Sequence, residues 1–285
     1  MAPSIERVGV VGAGLMGSGI AESVARAGLA VHVHEPEPEP LARSRERVER
    51  SVARAVEGGK LEPAEATTLI ATIDWTTDPD ELVGCDLVVE AVTEDPGVKS
   101  SVFAKLDRLL PAESILASNT SSIPIAQLAA ATARRERVIG LHFFSPVPVM
   151  RLVELVVGID TSDDTVARCE AFVERLGKRP IRTKDRSGFI VNMLLVPYLM
   201  AGVRMYEEGF AEREAIDEAM RLGCGHPMGP LELADFIGLD VLYAVCDSLF
   251  EEFKRAEYAP PPLMKRMVVS GHLGRKTGRG FYDYD

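Results

Sequence analysis

Short β-branched runs alternate with longer amphipathic ones through the first half of the chain. Val8–Val11, Val31–His34, Leu87–Val92, Ile115–Ala117 and Val138–Phe144 read as strands, while Gly17–Ala27 and the charged stretch Leu41–Glu57 carry helical periodicity. This alternation predicts a doubly wound, mostly parallel sheet with helices on both faces. Arg151–Val157 is a further strand, joined to Val138–Phe144 through a segment holding Pro146 and Pro148, which favours a hairpin-like reversal and a sheet that ends antiparallel. Beyond Ile181 the pattern changes: Gly188–Glu208, Glu212–Leu222, Pro230–Phe253 and Pro262–Ser270 read as helices, followed by a strand-like tail at Gly280–Tyr284. The expected division is an α/β domain over residues 1–186 and an all-α domain over 187–285. The alternating Glu and Pro of Glu35–Pro40 reads as a stiff loop.

With 285 residues, 46% hydrophobic and 26% charged, the chain has the makings of an ordinary globular protein. Thirty-two basic against 43 acidic side chains give a net charge of -11, which repels nucleic acid and anionic membranes. The longest apolar stretch, Gly188–Val203, is broken by Asn192 and Pro197, so no membrane span is expected. Four scattered cysteines without a C-x-x-C pair, and a start that lacks the marks of a secretory signal, lead us to expect a cytoplasmic protein with reduced thiols and no metal site. The helical half carries more apolar surface than its helices can hide among themselves, which predicts a homodimer.

Candidate chemistry begins at Gly12-Ala13-Gly14-Leu15-Met16-Gly17, which follows a strand and opens a helix. In that context G-x-G-x-x-G has a physical reading. The first glycine permits a tight turn, the second lets a pyrophosphate approach the backbone, the third packs helix on strand, and the helix start offers unpaired N–H groups. Glu35 lies 23 residues after Gly12 at the end of the second strand. A carboxylate there accepts from ribose hydroxyls and repels a 2'-phosphate, so this Rossmann-type domain is expected to take NAD rather than NADP.

Further along, His142 closes one strand and Glu154 sits on the apolar face of the next, with Leu152 and Val156. If these strands pair through the intervening turn, the two residues come nearly opposite, with Cβ atoms on the order of 5 Å apart. A carboxylate behind an imidazole holds a general base in one tautomer. From spacing alone, a core histidine and an edge-strand surface charge fit as well.

The motifs GAGLMGSGIA, EAVTEDPGVK, SNTSS, GLHFFSP, GFIVN and HPMGPLEL occur together and in order. In this the chain resembles the L-3-hydroxyacyl-CoA dehydrogenases, with similarity over essentially its whole length. The resemblance implies NAD-linked interconversion of an (S)-3-hydroxyacyl-CoA thioester and its 3-oxoacyl partner, with a short acyl chain expected. It implies that His142 is the catalytic base, Glu154 its partner, and that Ser121 and Asn192 hold the 3-oxygen. It further implies that Glu94, Lys99, Ser145 and Lys276 join Gly12, Gly14, Leu15, Met16, Gly17, Glu35 and Ser121 around the cofactor. Ser51 matches a position near the nucleotide end of CoA, although the lysine that often follows falls on Gly58. Arg47, Arg50 and Arg54 are alternative phosphate partners. Read without the family, Ser121 and Ser122 look like caps of the following helix.

Two positions depart from the family. Ser145 and Met193 stand where asparagine and arginine are usual, which is expected to alter turnover or substrate range without abolishing activity. Three other readings fit parts of the sequence: a same-fold enzyme for a carrier-protein-bound hydroxyacyl unit or a sugar acid, a lysine-based 6-phosphogluconate or 3-hydroxyisobutyrate type, and a non-enzymatic NAD-binding scaffold.

Overall fold

A computed structural model describes residues 4–284. The chain divides into two compact units between Asp185 and Arg186.

The amino-terminal unit is built on strands β1 (Arg7–Val11), β2 (Ala30–His34), β3 (Ile73–Thr76), β4 (Leu87–Glu90), β5 (Ile115–Ser118), β6 (Val138–Phe143), β7 (Leu152–Val157) and β8 (Arg179–Lys184). They form one sheet in the order β3-β2-β1-β4-β5-β6-β7-β8. Helices α1 (Leu15–Arg26), α2 (Pro38–Glu57), α3 (Pro63–Ala71), α4 (Pro96–Leu109), α5 (Ile125–Ala129) and α6 (Asp163–Arg175) supply the connections. Strands β1, β4 and β5 are buried on both faces, as the centre of a covered parallel sheet requires, and Val8, Val10, Val31, Val33, Leu87 and Val89 are in its core. Each such side chain contributes roughly 1.5–3 kcal/mol relative to exposure.

The doubly wound α/β class is as expected, with four local corrections. The sheet does not end on its antiparallel pair: β7 runs antiparallel to β6, but α6 then crosses over and β8 lies parallel to β7. β8, which includes Arg179, Arg182 and Lys184, is a mostly exposed edge strand without an apolar face to betray it. β3 and α3 also escaped the apolar pattern, β3 being only four residues long. Finally, Glu35–Pro40 is not all loop. Pro38 starts α2 at its first helical position, where a missing N–H costs nothing and the fixed φ suits the helix.

The carboxy-terminal unit holds α7 (Val191–Glu207), α8 (Arg213–Cys224), α9 (Pro230–Ile237), α10 (Leu239–Phe253) and α11 (Pro262–Val269), packed around Val196, Leu199, Met200, Leu231, Leu242 and Cys246. The stretch read as one helix over Pro230–Phe253 is two, because Gly238 at φ 101° turns the chain between them. The tail Gly280–Tyr284 is not a strand. Buried Asp235 accepts the N–H groups of Phe281 and Tyr282 and the Tyr284 hydroxyl, and only isolated bridges form nearby. No helix among the described residues is long and apolar enough to cross a membrane.

Candidate active site

The turn after β1 explains its own glycines. Gly12 adopts φ +101°, and a Cβ there would lie 2.7 Å from the Ala91 carbonyl oxygen; at Gly17 it would lie 1.9 Å from the Gly12 oxygen. At Gly14 a Cβ would meet nothing within 4 Å. The first and third glycines are therefore demanded by packing, while the second faces open space. Helix α1 begins at Leu15 with no side-chain cap and no acidic residue in its first turn, so its amino terminus presents N–H groups and positive dipole to an anion. Glu35 follows β2, and its Oε2 accepts the Ala13 N–H at 3.1 Å. Gly12, Gly14, Glu35, Thr93 and Val98 are among the residues lining a cavity of about 850 Å3. A tight glycine turn, an uncapped helix start and a carboxylate at the cavity wall fit a dinucleotide.

At the far side of the sheet, β6 and β7 pair with His142 directly opposite Glu154. Nδ1 and Oε2 are 2.7 Å apart, His142 is 6% exposed and Glu154 is fully buried. An ionised carboxylate only accepts, so in this contact the ring donates from Nδ1. The His142 ring also lies against Phe144, with centroids 4.5 Å apart. Asn119 fixes the end of β6, its Oδ1 accepting the Phe143 N–H at 2.9 Å.

Between these two ends lies a buried charge cluster that the sequence did not announce. Glu90, at the end of β4, accepts from Lys99 Nζ at 2.6 Å, from Ser118 Oγ at 2.7 Å and from the Val92 N–H at 2.7 Å. Lys99, 1% exposed, also reaches Glu94 at 3.2 Å. Glu94 in turn accepts from the Thr120 hydroxyl at 2.6 Å, the Ser121 N–H at 2.8 Å and the Ser121 and Ser122 hydroxyls at 3.3 and 3.2 Å. Burial pushes the Glu94 carboxyl up, but Lys99, the Thr120 hydroxyl and the Ser121 N–H together outweigh it and hold the group below its ordinary value. EAVTEDPGVK and SNTSS are thus one hydrogen-bonded unit. Lys99 is an internal counter-ion turned onto the two glutamates, and Glu94 is the member at the surface.

The capping role open to Ser121 and Ser122 belongs elsewhere. Asp185, 60 residues downstream of Ile125, accepts the Ile125 and Ala126 N–H groups at 2.8 Å each and caps α5, leaving the serine hydroxyls to Glu94. Ser145 is exposed and precedes a cis peptide to Pro146. Ser51 lines a smaller pocket of about 240 Å3 with Arg47, Arg54 and Ser145.

Asn192 and Lys276 belong to the carboxy-terminal unit. Asn192 is half-buried in the first turn of α7, just after Gly188 and Phe189, both at positive φ. A buried phenylalanine held at φ 48° is an uncommon conformation that must be maintained by its surroundings. Met193 accepts the Tyr258 hydroxyl at Sδ, 3.5 Å away. Lys276 is gripped by both oxygens of Asp240 at 2.6 and 2.7 Å.

A doubly wound domain with a glycine turn for a dinucleotide and a buried histidine–carboxylate pair defines a nicotinamide-dependent dehydrogenase architecture. Residues 7–186 match the 3-hydroxyacyl-CoA dehydrogenase, NAD binding domain, and residues 188–284 match the same family's C-terminal domain; the chain belongs to the 3-hydroxyacyl-CoA dehydrogenase family. It is 53% identical over 286 residues to a 3-hydroxybutyryl-CoA dehydrogenase of Mycobacterium tuberculosis, covering 100% of both chains. Among solved structures, M. tuberculosis FadB2 superposes with a TM-score of 0.98 at 53% identity, over 99% of this chain and 100% of the other. The (S)-3-hydroxybutyryl-CoA dehydrogenase PaaH1 of Ralstonia eutropha does so with 0.94 at 46%, again over 99% and 100%.

Proposed function

We propose that the protein interconverts (S)-3-hydroxyacyl-CoA and 3-oxoacyl-CoA with NAD, acting on the short-chain pair 3-hydroxybutyryl-CoA and acetoacetyl-CoA. The observation that carries this reading is the 2.7 Å contact between His142 and Glu154, inside a domain whose glycine turn fits a dinucleotide. NAD, when bound, supplies the hydride acceptor for C3 of the alcohol. His142 takes the hydroxyl proton at Nε2 while its Nδ1–H remains on Glu154, whose charge stabilises the imidazolium formed. In the reverse direction the same nitrogen returns the proton to the oxygen.

Ser121, oriented by Glu94, is assigned to donate to the 3-oxygen; a preorganised donor of this kind is worth roughly 3–4 kcal/mol of barrier. For Asn192 the same role rests on the GFIVN motif. Gly12, Gly14, Leu15, Met16 and Gly17 form the pyrophosphate turn, and Glu35 takes the adenosine ribose. Glu94 and Ser145 are assigned to the nicotinamide end, with Lys99 acting through Glu94 and Lys276 a further cofactor contact. Ser51 is assigned to the nucleotide of CoA.

Exposed apolar side chains on the carboxy-terminal unit, among them Leu194, Phe210, Leu222 and Val269, support a homodimer that covers them. The four free thiols support a cytoplasmic location, which cell fractionation checks. The enzymatic test is the oxidation of NADH by acetoacetyl-CoA, followed by absorbance. Turnover is expected with NADH and far less with NADPH, because Glu35 repels a 2'-phosphate. Absence of turnover with NADH overturns the reading, and a monomer in gel filtration overturns the dimer.

A further inference from the structure

Lys178, which stands just before β8, is a buried cation turned onto backbone. It is 9% exposed, and Nζ donates to the Val147 carbonyl at 2.5 Å and to the Met150 carbonyl at 2.9 Å. The carboxylate whose charge it feels, Glu22, is taken by Arg26 at 2.7 and 3.0 Å. Burial and the charge of Arg26 push the ammonium below its ordinary value, and Glu22 offsets them only in part. A charge held out of water is costly, and here it is committed to two carbonyls of a single loop.

That loop, residues 144–151, is the reversal between β6 and β7. It begins just after His142 and Phe143, carries Ser145 and leads back to Glu154. Pro146 and Pro148 have no N–H, and the Val149 and Met150 N–H groups converge on one acceptor, the Pro146 oxygen, at 3.0 Å each. The loop therefore depends on its neighbours for its placement. On its inner side Val147, 2% exposed, meets helix α1 at Gly19, where a Cβ would lie 2.9 Å from the Val147 side chain. Helix α1 is the one that opens at the glycine turn. Val147 is thus fixed twice, its side chain against the cofactor helix and its carbonyl on Lys178.

We propose that Lys178 is a positioning residue of the dehydrogenation: by holding the Val147 and Met150 carbonyls it sets the reversal against α1, and through it the placement of His142 and Ser145 relative to the dinucleotide. The inference rests on the hydride transfer proposed above. Lys178 touches no substrate in this role and exchanges no proton. Transfer between two bound partners is sensitive to displacements on the order of 1 Å, which cost about a hundredfold in rate. A reversal that shifts by a fraction of that distance slows the step while leaving both ligands bound.

The proteins compared are wild type, Lys178→Met, which keeps the reach of the side chain without its donors, and Lys178→Arg, which has donors for both carbonyls. Three quantities are measured: hydrogen exchange of the segment 144–151 by mass spectrometry, NADH affinity by fluorescence, and the single-turnover rate of NADH oxidation by saturating acetoacetyl-CoA, counted per NADH-bound site. In Lys178→Met the segment is expected to exchange about tenfold faster, as for the loss of charge-assisted hydrogen bonds. The rate per site should fall about tenfold. NADH affinity and the acetoacetyl-CoA KM should stay within about twofold of wild type. Lys178→Arg should recover most of both losses. Counting only NADH-bound sites separates placement from partial unfolding, which lowers the number of sites and not the rate at each. The role is overturned if the rate per site is unchanged, if it falls while the segment keeps its protection, or if Lys178→Arg restores the protection without the rate. Should Lys178→Met fail to fold, Lys178→Gln, neutral but able to donate, is judged by the same criteria. Wild-type protein without turnover overturns the proposed reaction and this role with it, whereas an active wild type with an equally fast variant overturns the role alone.

Discussion

Two buried charge sites in the amino-terminal unit are built from similar parts for different ends. His142–Glu154 joins facing residues of two antiparallel strands, and one partner is an imidazole, which carries a donor and an acceptor in one ring. Glu90–Lys99–Glu94 joins a strand end, a helix and a loop, and its cation is a lysine fixed between two carboxylates. In the proposed reaction, the first is the site that changes charge. The second serves geometry, because the Glu94 oxygen that accepts from Thr120, Ser121 and Ser122 aims the 120–122 loop. Burial alone therefore does not mark a catalytic acid or base. What separates the two in the proposed mechanism is that the first contains an imidazole, which can both donate and accept a proton.

Replacing His142 by glutamine breaks the comparison most sharply. The side chain keeps a polar end of similar reach but loses the base, so kcat is expected to fall by roughly three orders of magnitude. NADH affinity should hold, since the residue is assigned to the proton and not to the dinucleotide. Steady-state rates with acetoacetyl-CoA and a fluorescence titration of NADH check both halves. Near-normal turnover would remove His142 from the chemistry and reduce the pair to a core contact.

Removing Lys99 attacks the second site. Lys99→Met keeps the length of the side chain and leaves Glu90, which is 0% exposed, without its cation. Breaking a buried pair in this way costs about 3–5 kcal/mol. Urea denaturation of the amino-terminal unit should register a loss of that size. A variant as stable as wild type would show that the cluster relaxes or takes up a proton at little cost, and the description of Lys99 as a fixed counter-ion would fall.

The same contrast explains what the sequence made legible. His142 and Glu154 stand 12 residues apart across a single turn, so their register followed from strand alternation and turn length. The glycine turn and Glu35 were legible for the same reason: each is a local demand of backbone geometry. Asp185 capping α5 from 60 residues away, and Ser118 donating to Glu90 across 28, are tertiary contacts between polar residues that carry no periodicity. β8 was missed because an exposed, basic edge strand has no apolar face, and Gly238 was read through because apolar spacing on either side of it continues. Arg47 looked like one charge among many on a wet helix. Only the fold turns it onto the carbonyl of Gly14.

The smallest effect sharpens the comparison by titration. Glu94→Gln retains the shape of the side chain and an acceptor oxygen for the 120–122 loop but removes the charge that Lys99 and three hydrogen-bonded hydroxyls have organised around. The folded protein holds this carboxyl below its ordinary value of 4.5, so the ionised form favours the folded state. The sign follows directly. The advantage of wild type over the variant is fully present above pH 4.5 and is lost as pH falls through the lowered folded value. Urea midpoints for the two proteins should therefore differ at pH 7 and converge in acid. Kinetically, a loss of about tenfold in kcat/KM is expected, as for an oxygen donor at Ser121 held less firmly. A gap in midpoint that persists unchanged into strong acid would show that Glu94 acts through shape alone, and the distinction between a site that moves a proton and a site that holds its charge would lose its second term.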